Sequence, residues 1–231
     1  MRENCREKWW GKTTLARKVY NDSDVRGHFN CHAWVYVSQK YRITELLMEV
    51  IYLVMPLINA EKSQISMMVE EELGKKLSNY LKKQSYLIVL DDIWSFEIWE
   101  VLSSYFPESH KSRVLITTRN QEIALHANAK LHEPHHFKPK ESWKLFLRKT
   151  FQVKSTRGVC PEELKNLGKN ITAKYKGLPL AIVVLGDLLS RKEKTRSSWE
   201  RVLEGIEWHL NLGPQSCLGI LALSYNDLPY Y

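Results

Sequence analysis

The sequence has few cysteines, no long apolar run and no leader-like N-terminus, and each absence excludes a class of protein. The cysteines show no metal-ligand spacing, so we expect free thiols in a reducing compartment rather than zinc sites or disulfides. They are Cys5, Cys31, Cys160 and Cys217. The longest apolar stretch, Leu178 to Leu189, contains a Gly-Asp pair and is too short to span a bilayer. The first residues carry charges without an apolar segment, so no signal peptide is expected.

The composition is that of a folded globular protein. Of 231 residues, 44% are hydrophobic and eight are tryptophan, which is more apolar and aromatic material than a disordered chain contains. The net charge of +8 lies mostly in the second part, because residues 1–135 hold 18 basic and 17 acidic residues whereas residues 136–231 hold 16 and 9. The lysines there are scattered along predicted helices and fit solvated faces, so no nucleic-acid partner is expected.

The stretch from Tyr86 to Trp94 contains the strongest functional signal. Its first five residues, up to Leu90, are apolar without alternation, which is typical of a strand in a parallel sheet covered on both faces. Asp91 and Asp92 follow directly. At the carboxyl end of a parallel strand, carboxylates face the crevice where α/β proteins bind ligands, and their oxygens suit Mg²⁺ and, through it, phosphate. The residues alone leave an alternative open, in which an aspartate caps the next helix.

A second signal is the segment Gly-Lys-Thr-Thr at residues 11–14, which opens a helical pattern. A helix start directs backbone N–H groups toward an anion. In a phosphate-binding loop Lys12 would reach the β- and γ-phosphates, Thr13 would ligate Mg²⁺, and Thr14 would contact the α-phosphate. The full motif also needs a glycine at position 6, where this chain has Arg6. Half of the motif is therefore present.

Strands and helices alternate through the first part of the chain. Residues 32–38 and 114–118 are predicted strands, and residues 43–57 and 67–81 carry apolar residues at helical spacing. Such alternation predicts an α/β domain with a parallel sheet and crossover helices. Arg119 follows the last of these strands, level with the aspartate pair. It is therefore a candidate for the same crevice, and an ordinary surface arginine is the alternative.

From about Phe137 the pattern predicts helices only. The predicted helices span residues 141–151, 162–175, 178–191 and 197–208, and a break at Gly213-Pro214 precedes one more. Pro179 is at the start of its helix, where a missing N–H costs nothing, so its position is explained without any function. That helix is apolar nearly all round and should be the buried centre of a small bundle. The histidines and glutamate of residues 132–136 match no common zinc spacing, so no metal role is expected there.

Seven motifs occur in the order in which one family carries them. They are Gly-Lys-Thr-Thr-Leu-Ala (11–16), Trp-Val-Tyr-Val-Ser-Gln (34–39), Leu-Ile-Val-Leu-Asp-Asp-Ile-Trp (87–94), Ser-Arg-Val-Leu-Ile-Thr-Thr-Arg (112–119), Glu-Ser-Trp-Lys-Leu-Phe (141–146), Gly-Leu-Pro-Leu-Ala (177–181) and Leu-Ser-Tyr-Asn-Asp-Leu-Pro (223–229). From Gly11 to its end the chain resembles the NB-ARC domain of plant nucleotide-binding leucine-rich-repeat (NLR) immune receptors. Trp94 resembles the coiled-coil subclass of these receptors.

The resemblance implies a fold, a domain order and a function. The fold would be the α/β parallel sheet of a P-loop NTPase of the STAND class, followed by a small all-helical subdomain. Residues 1–135 would be the nucleotide-binding domain, residues 136–212 the helical (ARC1) subdomain, and residues 213–231 the start of a winged-helix subdomain. The function would be an ADP/ATP switch with Mg²⁺, in which ADP holds a receptor closed and ATP permits oligomerisation. At most it would be a slow ATPase.

By position, the resemblance also implies roles for single residues. The phosphate-binding residues would be Gly11, Lys12, Thr13 and Thr14. Thr13 and Asp91 would hold Mg²⁺, and Asp92 would be the catalytic residue that orients the hydrolytic water. Arg119 would detect the γ-phosphate, and Pro179 would pack on the adenine from the helical subdomain.

The chain departs from the family pattern at its start and at its end. Arg6, Lys8 and Trp9 replace three glycines of the family's Gly-x-Gly-Gly-x-Gly-Lys loop, and no strand-like segment precedes that loop. A missing strand would leave neighbouring strand edges unpaired and prone to aggregation. Only the beginning of a winged-helix part is present, without a Met-His-Asp motif, and the coiled-coil and repeat domains are not in this sequence. We therefore expect a partial sequence with foreign or degenerate first residues.

Three functions are open at this point. The first is a nucleotide-binding switch module of a cytoplasmic immune receptor, whose partners would be the receptor's coiled-coil and leucine-rich-repeat domains and further copies of itself. The second is a degenerate module that no longer binds nucleotide and acts through protein contacts. The third is a basic nucleic-acid binder, which would show salt-dependent association. The first agrees both with the residues at the strand ends and with the motif order.

Overall fold

The computed structural model describes residues 11–151 and 160–211, with side chains as far as residue 205. Two compact units are present, one of residues 12–133 and one that contains the described residues from 134 onward. The predicted helix after Gly213-Pro214, the motif at 223–229 and the departures at Arg6, Lys8 and Trp9 lie outside the described residues.

The first unit alternates helices with parallel strands. Its elements are α1 (Lys12–Tyr20), α2 (Ser23–His28), β1 (Cys31–Tyr36), α3 (Ile43–Val54), α4 (Asn59–Ile65), α5 (Glu70–Leu81), β2 (Tyr86–Ile93), α6 (Phe96–Ser104), β3 (Arg113–Thr118) and α7 (Gln121–His126). The three strands form one sheet in the order β1-β2-β3, and both strand pairs are parallel. The predicted α/β class, with a parallel sheet and crossover helices, is confirmed.

Strand β2 lies in the middle of the described sheet and is buried on both faces, as its unbroken apolar sequence predicts. Ile88 and Leu90 pack into a core with residues of α3, α5 and α6. Because side chains alternate along a strand, Val89 and Asp91 face the opposite side, where the first turn of α1 contacts Asp91. Within the described residues β3 has a strand partner on one side only, and its apolar residues are half-buried.

The second unit contains only helices among its described residues, as predicted. They are α8 (Pro139–Thr150), α9 (Glu162–Lys174), α10 (Pro179–Arg191) and α11 (Arg196–Asn211). Their core includes Phe146, Ile182, Leu185 and Trp199, all fully buried. Pro179 is the first residue of α10, as predicted. Nowhere in the described chain is a helix both long enough and apolar enough to cross a membrane.

The sequence patterns did not predict three short helices or the full length of β2. Helices α2, α4 and α7 have six or seven residues, too few for an apolar period to show. The N-cap side chains of Asp22 and Asn120 stabilise two of them by accepting backbone N–H groups. Strand β2 continues through the aspartate pair to Ile93, because a distortion of its pairing with β3 accommodates both residues.

Gly177 provides a stability test of the helical unit. Its φ is +78°, and a Cβ there would collide with the backbone carbonyl oxygen of Phe137, whose N–H donates to the Gly177 carbonyl. We expect Gly177→Ala to lower the free energy of unfolding by about 2 kcal/mol or more, through backbone strain and this clash. The control is Gly27→Ala, because a Cβ at Gly27 meets nothing within 4 Å. Urea unfolding in which both variants match the wild type would contradict this prediction.

His32 provides a pH test of the first unit. Its ring meets the rings of Tyr20 and Phe29 edge-on, and burial, followed by the charge of Arg26, lowers its pKa below the ordinary value of 6.5. The folded state therefore takes up this proton less readily than the unfolded chain, so its stability should fall as the pH drops below about 6.5. In His32→Phe we expect a smaller loss of melting temperature between pH 7.5 and 5.5. Equal losses would contradict the prediction.

Candidate functional site

The first turn of α1 is attached to the carboxyl ends of two strands. Gly11 precedes the helix with a φ of +69°, a conformation that a side chain would strain. The ammonium of Lys12 donates a hydrogen bond to the carbonyl oxygen of Thr118 at 2.8 Å, at the end of β3. The hydroxyl of Thr13 donates to Oδ1 of Asp91 at 2.8 Å, near the end of β2. The helix start and the strand ends therefore form one site.

Asp91 is the buried anion of this site, with a relative exposure of 3%. Its Oδ1 accepts two hydroxyl hydrogen bonds, from Thr13 at 2.8 Å and from Thr117 at 2.5 Å. A buried carboxylate is costly unless donors compensate for the lost water, and these hydroxyls supply that compensation. The alternative in which an aspartate caps the next helix is wrong, because Ser95 is the N-cap residue of α6.

Asp92 points to a different partner, because the pairing of β2 with β3 is irregular at this place. Leu90 pairs with Ile116 and Ile93 pairs with Thr118, so that the two aspartates lie opposite one residue. Asp92 has a φ of +63°, in the left-handed region that aspartate tolerates better than most residues. A bulge of this kind redirects a side chain.

The side chain of Asp92 forms a bidentate ion pair with Arg119. Nε and Nη2 of the arginine donate to Oδ1 and Oδ2, each at 3.1 Å. The Arg119 guanidinium also lies over the Trp94 ring, 4.8 Å from its centroid. The Asp92 side chain is 14% exposed and that of Arg119 is 41% exposed. Arg119 is thus held by two groups at the edge of the site and remains accessible to a ligand from solvent.

The donor set fits a hard divalent cation. In an octahedral Mg²⁺ site with bonds of about 2.0–2.1 Å, neighbouring ligand oxygens are about 2.9 Å apart. The Thr13 hydroxyl and the Asp91 carboxylate already have this separation, at 2.8 Å. Because Thr13 uses its hydrogen to bond Asp91, its oxygen lone pairs can bind a cation. Lys12 and Arg119 add positive charge, which suits phosphate.

The structure brings together five of the residues that the sequence singled out: Lys12, Thr13, Asp91, Asp92 and Arg119. Thr14 lies on α1 as an exposed residue, and Pro179 belongs to the helical unit. The roles assigned to all of these residues stay predictions. Sequence reasoning missed Thr117, whose buried hydroxyl touches both aspartates. The signal available was a pair of threonines at the end of an apolar strand, which β-propensity alone also explains.

Comparison with known proteins finds one matching family model and several relatives that are named as resistance proteins. The family model described as the NB-ARC domain matches residues 9–156. A putative disease resistance protein of Arabidopsis thaliana, At1g50180, is 38% identical over 95% of this chain and 26% of its own length. The ToMV resistance protein Tm-2(2) of Solanum lycopersicum is 37% identical over 95% of this chain and 25% of its own. The disease resistance protein RPP13 of Arabidopsis thaliana is 40% identical over 85% and 23%. The chain therefore spans about a quarter of the length of these curated relatives.

The ion pair of the site can be measured by a double-mutant cycle. We expect Asp92→Ala and Arg119→Ala to show a coupling free energy of about 1 kcal/mol in urea unfolding, because the pair is bidentate and partly buried. The pair Glu71 and Lys75 serves as the control. Both side chains are largely exposed on α5, so we expect this pair to show a smaller coupling. Equal coupling in the two cycles would contradict a specific Asp92–Arg119 contact.

Proposed function

The chain belongs to the NB-ARC family, and from this premise we propose that it is the ADP/ATP-binding switch module of a plant immune receptor. The observation that supports the proposal most strongly is the hydrogen bond between Thr13 and Asp91. It joins the start of a helix to a buried carboxylate at a strand end, which is the arrangement that a phosphate with its Mg²⁺ requires. A helix start alone would supply only the partial positive charge that attracts phosphate. An aspartate alone would supply only the negative charge that binds Mg²⁺.

In this proposal the phosphates bind at the start of α1. Gly11 lets the backbone approach the ligand closely, and the N–H groups of the first turn, with Thr14 among them, face the phosphates. Lys12 would transfer its hydrogen bond from the Thr118 carbonyl to the β- and γ-phosphates. Since a phosphate oxygen carries a full charge and a carbonyl does not, the phosphate is the stronger acceptor for an ammonium group.

The residues that would hold Mg²⁺ are Thr13 and Asp91. When bound, the ion would neutralise phosphate charge and orient the phosphate chain. Asp91 supplies the negative charge, and Thr13 supplies a neutral oxygen next to the phosphates. Asp92 lies one residue further along β2 and would orient the attacking water. Hydrolysis would be slow, because a switch works by holding one nucleotide state.

The switch itself would depend on Arg119. Its guanidinium now pairs with Asp92, a planar carboxylate. A γ-phosphate is an alternative bidentate partner with more charge, and ADP lacks it. With ATP bound, Arg119 would turn to the nucleotide and free Asp92 for water. With ADP bound, the ion pair would persist, so that the two nucleotides produce two different charge arrangements.

The role of the module in a whole receptor is also a proposal, because the chain covers only about a quarter of the length of its curated relatives. Those relatives are named as disease resistance proteins. We propose that this module acts in a cytoplasmic receptor, together with coiled-coil and leucine-rich-repeat domains and with further copies of itself in the ATP state. The competing proposal is a degenerate module without nucleotide. The bulky residues Arg6, Lys8 and Trp9 in place of loop glycines favour that alternative.

Binding of ADP separates the two proposals. We expect the 231-residue chain to bind a fluorescent ADP analogue with Mg²⁺ at micromolar affinity or better, and Lys12→Ala to weaken binding at least tenfold, because it removes the ammonium that meets the phosphates. The matched control is Lys18→Ala, an exposed lysine on the same helix, which should bind as the wild type does. Equal binding by Lys12→Ala would contradict the switch proposal. The absence of any binding would favour the degenerate module.

A further inference from the structure

Asp91 and Asp92 lie on a distorted segment of β2, and one residue of β3 forms hydrogen bonds with both of them. Between Leu90 and Ile93, β2 has one residue more than β3, so Asp91 and Asp92 together face Thr117. Such a bulge removes a backbone N–H from the regular ladder. Here that group is the N–H of Asp92, whose left-handed φ of +63° adds local strain.

The Thr117 hydroxyl bonds to both aspartates, once as an acceptor and once as a donor. It accepts the hydrogen bond of the Asp92 N–H at 2.8 Å and donates its own hydrogen to Oδ1 of Asp91 at 2.5 Å. Thr117 is 7% exposed and Asp91 is 3% exposed, so water does not readily replace these bonds. One hydroxyl therefore fixes the backbone that carries one aspartate and the side chain of the other.

We propose that Thr117 is a positioning residue that sets the affinity of the Asp91 site for a divalent cation. The inference rests on the proposed function, because it takes Asp91 and Thr13 as the cation ligands. Because this hydroxyl both accepts and donates a hydrogen bond, it fixes the positions of the two aspartates relative to each other. Without it, Asp91 keeps Thr13 as its one side-chain donor among the described residues, and the strained Asp92 backbone loses its acceptor. Partners behind a metal ligand commonly contribute a factor of 10 to 100 in metal affinity.

The neighbouring threonine shows why the effect should be specific. Thr118 lies on the opposite face of β3 and donates its hydroxyl to the Ile93 carbonyl oxygen at 2.9 Å. That bond involves neither carboxylate nor the Asp92 N–H, and the backbone carbonyl of Thr118 that accepts the Lys12 hydrogen bond is kept in Thr118→Val. Thr117 and Thr118 therefore form a matched pair, in which the same substitution removes a hydroxyl with or without loss of the contacts to Asp91 and Asp92.

The test compares Thr117→Val, Thr117→Ser and Thr118→Val in the full chain by two NMR measurements that need no nucleotide. The first is hydrogen exchange of the Asp92 amide. We expect it to be at least tenfold faster in Thr117→Val, because valine cannot accept its hydrogen bond, and close to the wild-type rate in the other two variants. If Thr117→Val does not fold, Thr117→Ala removes the same hydroxyl without the branched side chain and takes its place.

The second measurement is the titration of Mn²⁺ alone, a paramagnetic probe that shares the preference of Mg²⁺ for oxygen ligands. Broadening of the Asp92 amide signal reports binding at this site. We expect about tenfold weaker binding in Thr117→Val, with recovery to within about twofold in Thr117→Ser and no change in Thr118→Val. A purely structural role would speed amide exchange without changing Mn²⁺ affinity, and this result would overturn the proposal.

Two further outcomes would also overturn it: Thr118→Val weakening Mn²⁺ binding as much as Thr117→Val, and a wild-type chain that binds no Mn²⁺ near Asp92. Failure of the proposed nucleotide function would look different. In that case ADP would not bind, whereas the Mn²⁺ titration would still rank the Thr117 variants as described.

Discussion

The structure of the site depends on one buried carboxylate. Asp91 is almost inaccessible to water, and its charge is tolerated because the hydroxyls of Thr13 and Thr117 converge on one of its oxygens. Those residues lie on different elements, one at the start of α1 and the other near the end of β3. The carboxylate therefore links the start of α1 to the end of β3, in addition to the hydrogen bond of Lys12 to the Thr118 carbonyl. Removing it would take away the hydrogen bond between the helix start and β2.

Next to Asp91, the two cations of the site each have a contact that a phosphate ligand can replace. Lys12 is bonded to a backbone carbonyl, a weaker acceptor than phosphate. Arg119 is bonded to Asp92 and lies over Trp94, at the exposed rim of the site. Both cations thus occupy positions from which a phosphate group of higher charge would attract them.

The sequence was sufficient to predict the fold class and the proximity of the candidate site residues, but not the irregular backbone on which two of them lie. The continuous apolar run of β2 predicted a central strand, and the rule that ligands bind at carboxyl ends predicted that Lys12, Asp91, Asp92 and Arg119 meet there. The bulge was not predictable, because an Asp-Asp dipeptide is compatible with a strand end as well as with a left-handed residue. Without the bulge, the double contact of Thr117 could not be inferred. The short helices α2 and α7 were missed for another reason, since six residues hold fewer than two turns and show no period.

The central claim is that the start of α1, the aspartate pair and Arg119 form one nucleotide-phosphate site. Hydrogen-exchange mass spectrometry of the whole chain, with and without ADP and Mg²⁺, tests it most directly. We expect the ligand to slow exchange together in the segments that contain residues 12–16, 90–94 and 117–120, and to leave α4 and α5 unaffected. Protection confined to other segments, or no protection at saturating ADP, would contradict it.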